Sequence, residues 1–228
     1  MRNGKNKIIS LVLVIVLIAS LFSFTSCNRK FDKEEVVEAA KRLLQESEKL
    51  NYIYYGSGIR YIENEEYKNG SYYRADREHL AELGISSVAE LKILTQKTFS
   101  VGYCNNIYST LLSSLKENGQ LVSVARYYQH TNEETGETYM MVYSRFDVMF
   151  KDSISYDYES ITAKKSKKEN VYVSVNATVT DSNGRSQQIT LTVNLIEEAD
   201  GWKISSPTYA NYNELKDRYD ELKNQELK

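Results

Sequence analysis

The sequence predicts an α+β fold: an N-terminal helix and short helices packed on a curved antiparallel sheet, followed by a C-terminal helical tail. Three observations predict it. Between Val36 and Leu115, apolar residues recur at helical spacing. From Val122 to Ser205 the period changes to that of half-buried strands. Polar turn signals at Thr131 to Gly136, Asp181-Ser182-Asn183-Gly184 and Asp200-Gly201 separate the alternating runs with no helical pattern between them, as in an antiparallel meander.

The first segment is an address. Arg2, Lys5 and Lys7 form a basic start, and Ile8 to Phe22 is apolar apart from Ser10 and Ser20. That run is shorter than the ~20 residues a spanning helix needs. The layout is that of a secretory signal. Phe24-Thr25-Ser26-Cys27 resembles the lipobox of bacterial lipoproteins, with Phe24 in place of the usual Leu. Residues 1–26 are read as a lipoprotein signal peptide, Cys27 as the lipidated first residue of the mature chain, and 27–32 as a short tether. A diacyl anchor supplies the two chains that stable attachment requires. The expected location is the outer face of the bacterial cytoplasmic membrane.

Residues 33–207 are expected to form one domain. Asp32 with Glu35 has capping-box spacing. Val36, Val37, Ala40, Leu43, Leu44 and Leu50 form the apolar stripe of a long helix that runs through Tyr54 and stops at Gly56. Asn69-Gly70 before Tyr72-Tyr73 reads as a small hairpin. Arg77 to Leu83, closed by Gly84, is a short helix. Ser87 with Glu90 opens another, Val88 to Lys97, with Leu91 and Leu94 inward. Tyr103, Ile107, Leu111, Leu112 and Leu115 form a third stripe ending near Asn118-Gly119.

Strands follow at Val122 to Tyr128, Thr138 to Arg145, Ile154 to Ala163, Val171 to Thr180, Gln188 to Ile196 and Trp202 to Ser205. Trp202 is expected to be buried over the first helix, in one cluster with Val36, Ala40, Leu43 and Leu44. Beyond Pro207, Tyr212, Leu215, Tyr219 and Leu222 give residues 208–228 the pattern of an amphipathic helix or tail.

Composition narrows the chemistry. Hydrophobic residues make up 41% of the 228, enough for a core. The charge balance of 29 Lys+Arg against 31 Asp+Glu gives no electrostatic drive toward nucleic acid. Two Cys exclude a disulfide scaffold, and Cys104 is expected to pack as a small apolar residue. There is no H-E-x-x-H, P-loop, G-x-S-x-G or Gly-rich dinucleotide turn, so no catalytic set, metal or cofactor is expected. His79 reads as a surface residue. His130, at a hairpin end, is the best placed general base if the chain is an enzyme. Lys164, Lys165, Lys167 and Lys168 form a basic turn that is either simply solvated or in contact with an anionic surface.

The unusual count is Tyr, at 19. Adjacent tyrosines on a strand point to opposite faces, so Tyr127-Tyr128 exposes one ring. Exposed Tyr is common at binding surfaces, although Tyr also fills half-buried sheets. Glu133, Glu134 and Glu137 make the neighbouring hairpin tip acidic, with Tyr128 and Tyr139 flanking it. These five residues are the candidate partner-binding set, against the plainer reading of an ordinary polar turn.

Two stretches carry a family resemblance. Ala199-Asp200-Gly201-Trp202-Lys203-Ile204-Ser205 is similar to the closing strand of cystatin-like and NTF2-like secreted domains. Tyr72-Tyr73-Arg74, then Ser87-x-x-Glu90-Leu91-Lys92 and Thr98-Phe99-Ser100, resembles the IseA family of bacterial D,L-endopeptidase inhibitors. The opening helix running into Tyr52-Tyr54-Tyr55-Gly56 fits the same pattern. The likeness spans about residues 33–207, and the chain departs from it in the tail after Pro207 and in its lipid anchor. The resemblance implies an inhibitor that docks on NlpC/P60-type wall hydrolases and blocks their catalytic Cys cleft. A small-ligand carrier or enzyme of NTF2-like shape and a passive envelope scaffold are the alternatives.

Overall fold

The computed structural model describes residues 31–64, 66, 68–117, 120–146, 153–165, 171–181 and 183–208. The signal segment, Cys27, the centre of the basic turn and the tail beyond Thr208 lie outside these residues. Four helices are described: α1 (Lys33–Tyr54), α2 (Arg77–Glu82), α3 (Val88–Thr98) and α4 (Val101–Leu111). The first strands are β1 (Lys68–Asn69), β2 (Tyr72–Arg74), β3 (Leu115–Glu117), β4 (Gln120–Ser123), β5 (Tyr127–Thr131) and β6 (Thr138–Tyr143). The last four are β7 (Ser153–Lys165), β8 (Val171–Thr180), β9 (Ser186–Glu198) and β10 (Gly201–Ile204).

The class is α+β. The strands do not form one meander, however. They divide into a sheet of order β10-β9-β8-β7, a second of order β1-β2-β6-β5, and the pair β3-β4. The first of these is the expected run of consecutive long strands. On β8, Val171, Val173, Val175, Ala177 and Val179 point inward, as period two requires. The core lies between this face and α1, which buries Val36, Ala40, Leu43, Leu44, Leu50 and Ile53. Each large side chain among them contributes about 1.5–3 kcal/mol by leaving water.

A bulge in the edge strand β7 fits it to the helix. Residues 158–161 of β7 face Val175 of β8 alone. Ser160 Oγ accepts the Asn176 N–H, and Asp157 Oδ1 accepts the Glu159 N–H, so the irregular backbone stays satisfied. The bulge brings Tyr158 against α1, where its hydroxyl donates to Glu48 Oε1 at 2.8 Å, and Glu159 against Lys41. Thr208 closes the same end, accepting from Tyr156 through its carbonyl and from Asn51 through its hydroxyl.

Four expectations change. The single strand expected from Val122 to Tyr128 is divided, with β4 ending at Ser123 and β5 starting at Tyr127. Leu115 does not extend the last helix, α4, which ends at Leu111. It starts β3, which pairs antiparallel with β4, and Asn118-Gly119, expected to end the helix, lies outside the described residues. Trp202 is only half-buried, because it follows the Gly201 turn at the end of the sheet. Ile204, two residues on, takes the core position, 0% exposed and bridged to Phe99. His79 is buried rather than exposed: its Nδ1 accepts the Arg60 N–H at 2.8 Å, so the short α2 is fastened to the loop before it.

The two sheets meet through the end of α1. Tyr127, at the start of β5 and 0% exposed, donates its hydroxyl to Ile53 O at 2.6 Å and accepts the Ile59 N–H at 3.2 Å. Arg126 Nη2 donates to Gly56 O at 2.7 Å. Gly58 lies against both side chains with φ +76, and a Cβ there would sit 2.1 Å from Arg126 Nη2 and 2.5 Å from the Tyr127 hydroxyl. Gly184 has a similar φ of +78 with nothing within 4 Å. Alanine at Gly184 should therefore cost only the left-handed backbone, about 1–2 kcal/mol. Gly58→Ala should cost clearly more in urea unfolding. Equal losses would mean that Arg126 yields freely and that the junction is loose.

Candidate functional site

Pinning Tyr127 inward turns Tyr128 outward, because alternate residues of a strand face opposite ways. The register then fixes what lies beside it. Tyr128 pairs with Met141, and His130 pairs with Tyr139. Across β6, Tyr72 pairs with Tyr143 and Arg74 with Met141. One face of the β1-β2-β6-β5 sheet thus carries Tyr72, Tyr128, His130, Tyr139 and Tyr143, all half-buried, over a Met141 that is 1% exposed.

The rings form a continuous layer. Tyr72 meets Tyr128 edge-on at 4.7 Å and Tyr143 at 5.2 Å, and His130 lies 6.3 Å from Tyr128 and 5.3 Å from Tyr139. Such pairs contribute roughly 0.5–1.5 kcal/mol each beyond burial, so the layer is held in place before anything binds. Hydrogen bonds fix its margins. Asn69 Nδ2 donates to the Tyr128 hydroxyl at 2.9 Å, and the Tyr72 hydroxyl donates to Ala125 O at 2.6 Å. Burial pushes the Tyr72 phenol up to about 12, with the neighbouring Tyr128 adding to the shift.

The acidic tip is not one cluster. Glu133 and Glu134 are exposed on the β5–β6 turn, where Asn132 Oδ1 accepts the N–H groups of Glu134 and Thr135. Glu137 instead accepts from both Arg74 and Arg77. The hydrogen bond from Arg74 holds its carboxyl below the ordinary range, with the charges of both arginines acting the same way. Arg74 also lies 4.5 Å over the Tyr139 ring, so Glu137 locks the tip to the aromatic layer. Of the five candidate residues, Tyr128 and Tyr139 share this face, Glu137 is part of its framework, and Glu133 and Glu134 form its acidic margin.

His130 meets tyrosine rings, and among the described residues no carboxylate is placed against it. Cys104 is buried, with Sγ 3.4 Å from Phe99 O and its thiol pushed up by burial, which makes it unreactive. Sequence reasoning missed Tyr72, Tyr143 and Arg74 as members of this face. The adjacent Tyr72-Tyr73 was a signal that one ring faces outward, but the pairing of β2 with β6 is nonlocal. Compared with known protein families, characterised proteins and solved structures, the chain matches none.

The Glu137 lock gives a signed pH dependence. Its carboxyl is held lower in the folded state than in the unfolded chain, where a glutamate titrates near ~4.3. Its stabilisation is therefore present above that value and lost as pH falls through the folded one. Between pH ~5 and ~3, Tm of the wild type should fall more steeply than that of Glu137→Gln. Superimposable slopes in thermal melts would contradict the lock.

Proposed function

We propose that the chain is a membrane-tethered extracytoplasmic binding protein that inhibits or regulates cell-wall D,L-endopeptidases of the NlpC/P60 type. The observation that carries this reading is the outward aromatic layer of Tyr72, Tyr128, His130, Tyr139 and Tyr143 beside the acidic turn. Preformed rings bind at low entropy cost, and protein interfaces concentrate their affinity in a few aromatic and Arg residues. Glu133 and Glu134 lie on a turn suited to entering a basic cleft. The signal segment ending in Cys27 supports export and a lipid tether on the outer face of the cytoplasmic membrane, where wall hydrolases act. The mechanism is occlusion: the protein covers a catalytic cleft, with no bond made or broken and no cofactor required.

The test is inhibition of a purified peptidoglycan D,L-endopeptidase. Tyr128→Ala and Tyr139→Ala should each raise the inhibition constant about tenfold or more, mainly through faster dissociation. Glu133→Lys with Glu134→Lys should slow association and weaken its salt dependence. Inhibition untouched by all four substitutions would move the site elsewhere, and no inhibition by the wild type would reject the reading. Cys27→Ser should release the protein from membranes. Unchanged retention and unchanged lipid labelling would contradict the anchor.

A further inference from the structure

In the two four-stranded sheets, three of the outer edges are blunted. The edge strand β7 is bulged and carries Asp157, Glu159, Lys164 and Lys165. The edge of β10 is capped by the segment after α3, with Phe99 bridged to Ile204 and the Ser100 N–H donating to Ile204 O at 2.9 Å. The strand β1 has only 2 residues and presents Lys68. Bulges, charges, short strands and covering segments keep a sheet edge from pairing with another chain. The fourth edge, β5, has none of these devices. It runs 5 residues in regular register with β6 and holds no Lys, Arg, Asp, Glu or Pro.

The register decides which backbone groups of β5 face outward. Arg126 O accepts the Tyr143 N–H, and the Asn132 N–H donates to Glu137 O, so Tyr128 and His130 between them bond to β6. In an antiparallel pair the intervening residues turn their N–H and C=O the other way. Gln129 and Thr131, both exposed, therefore line the open edge with backbone donors and acceptors that meet no partner among the described residues. The Gln129 side chain accepts the Val88 N–H at 3.1 Å without engaging its own backbone groups.

Backbone donors and acceptors at strand spacing complement another extended chain. The flanks of β5 state the chemistry of that chain. Tyr128 and His130 lie on β5 itself, so an added strand would widen the aromatic layer and set its side chains beside these rings. Glu133 and Glu134 stand just beyond the end of β5 and call for a cation. A second copy is a poor occupant. Its β5 holds no basic residue to meet those glutamates, and two strands of 5 residues bury less than the ~1,000 Å² a stable dimer needs.

We propose that the β5 edge binds an extended peptide segment by strand addition, with a β-branched or aromatic side chain beside Tyr128 and His130 and a Lys or Arg beside Glu133 and Glu134. Backbone bonds to Gln129 and Thr131 give the affinity, and the side chains give the choice of segment. That the segment belongs to a wall hydrolase rests on the function proposed above, whereas the pairing itself does not.

Fluorescence anisotropy with the full chain tests the pairing. The probes are two labelled, end-blocked peptides of alternating Val and Thr, one with Lys at its start and one with Lys at its end. At least one should bind saturably. Gln129→Pro and Thr131→Pro should each weaken that binding about tenfold, the worth of one backbone hydrogen bond. Both variants should keep Tm within a few degrees, because an outward N–H is no part of the ladder. Peptides N-methylated on alternate residues decide the matter on the wild type if the proline variants do not fold. One alternate set of methyl groups should abolish binding and the other should leave it. Equal binding by the proline variants and the wild type, equal binding by both methylated peptides, or no saturable binding by either parent peptide would overturn the proposal. In the hydrolase assay, inhibition that both proline substitutions leave unchanged would overturn the edge and leave the aromatic face standing. Peptide binding with no hydrolase inhibited would keep the edge and reject the hydrolase as its partner.

Discussion

The hydroxyl of Tyr127 at the end of α1 is the contact on which the arrangement depends. A helix leaves its last carbonyls without internal partners, and the last turn of α1 carries no basic residue to meet them. The start of β5 supplies what the helix lacks. Tyr127 donates to Ile53 O and receives the Ile59 N–H, and Arg126 covers Gly56 O. One residue pair thereby joins the helix that covers the β7–β10 core to the sheet that carries the aromatic face. Gly58 is the steric condition for it, since any side chain there would occupy the volume of Arg126.

The aromatic face follows from that pin. A one-residue slip in β5 would turn Tyr128 and His130 inward and expose Tyr127. The register carries the constraint outward through His130↔Tyr139 and Tyr72↔Tyr143, so the rings are aligned by contacts made on the opposite side of the sheet. Glu137 then ties the turn back to Arg74 and Arg77, leaving Glu133 and Glu134 as the free charge. These polar contacts hold the face rigid, which lowers the ordering cost of any association made there.

What the sequence disclosed was what local periodicity encodes. The stripe from Val36 to Leu50, the Ser87 cap and the alternation of β8 and β9 depend on near neighbours, and they stand where the pattern placed them, whereas the bulge in β7 shifts its buried phase from Tyr156 to Ile161 and Ala163. Contacts between distant segments stayed hidden. Tyr127 and Arg126 read as members of an alternating strand, and nothing nearby marks them as the partners of a helix end 70 residues away. His79 looked exposed because its partner is the backbone of Arg60. Trp202 looked like a core residue by size alone, whereas its position after the turn gave the inner place to Ile204. Of the candidate site, Tyr128 and Tyr139 were legible from spacing. Glu137 was not separable from Glu133 and Glu134 without knowing that Arg74 lies beside it.

The central claim is that Tyr127 couples the helix end to both sheets. Native-state hydrogen exchange on Tyr127→Phe tests it most directly, since this change removes only the oxygen and keeps the ring in the core. The loss of a buried, doubly bonded hydroxyl is expected to cost about 1–3 kcal/mol. The amides of Ile53 to Ile59, of β5 and β6, and of β8 and β9 should lose protection together and by similar amounts. Loss confined to the Ile53–Ile59 turn, with both sheets exchanging as in the wild type, would contradict the account.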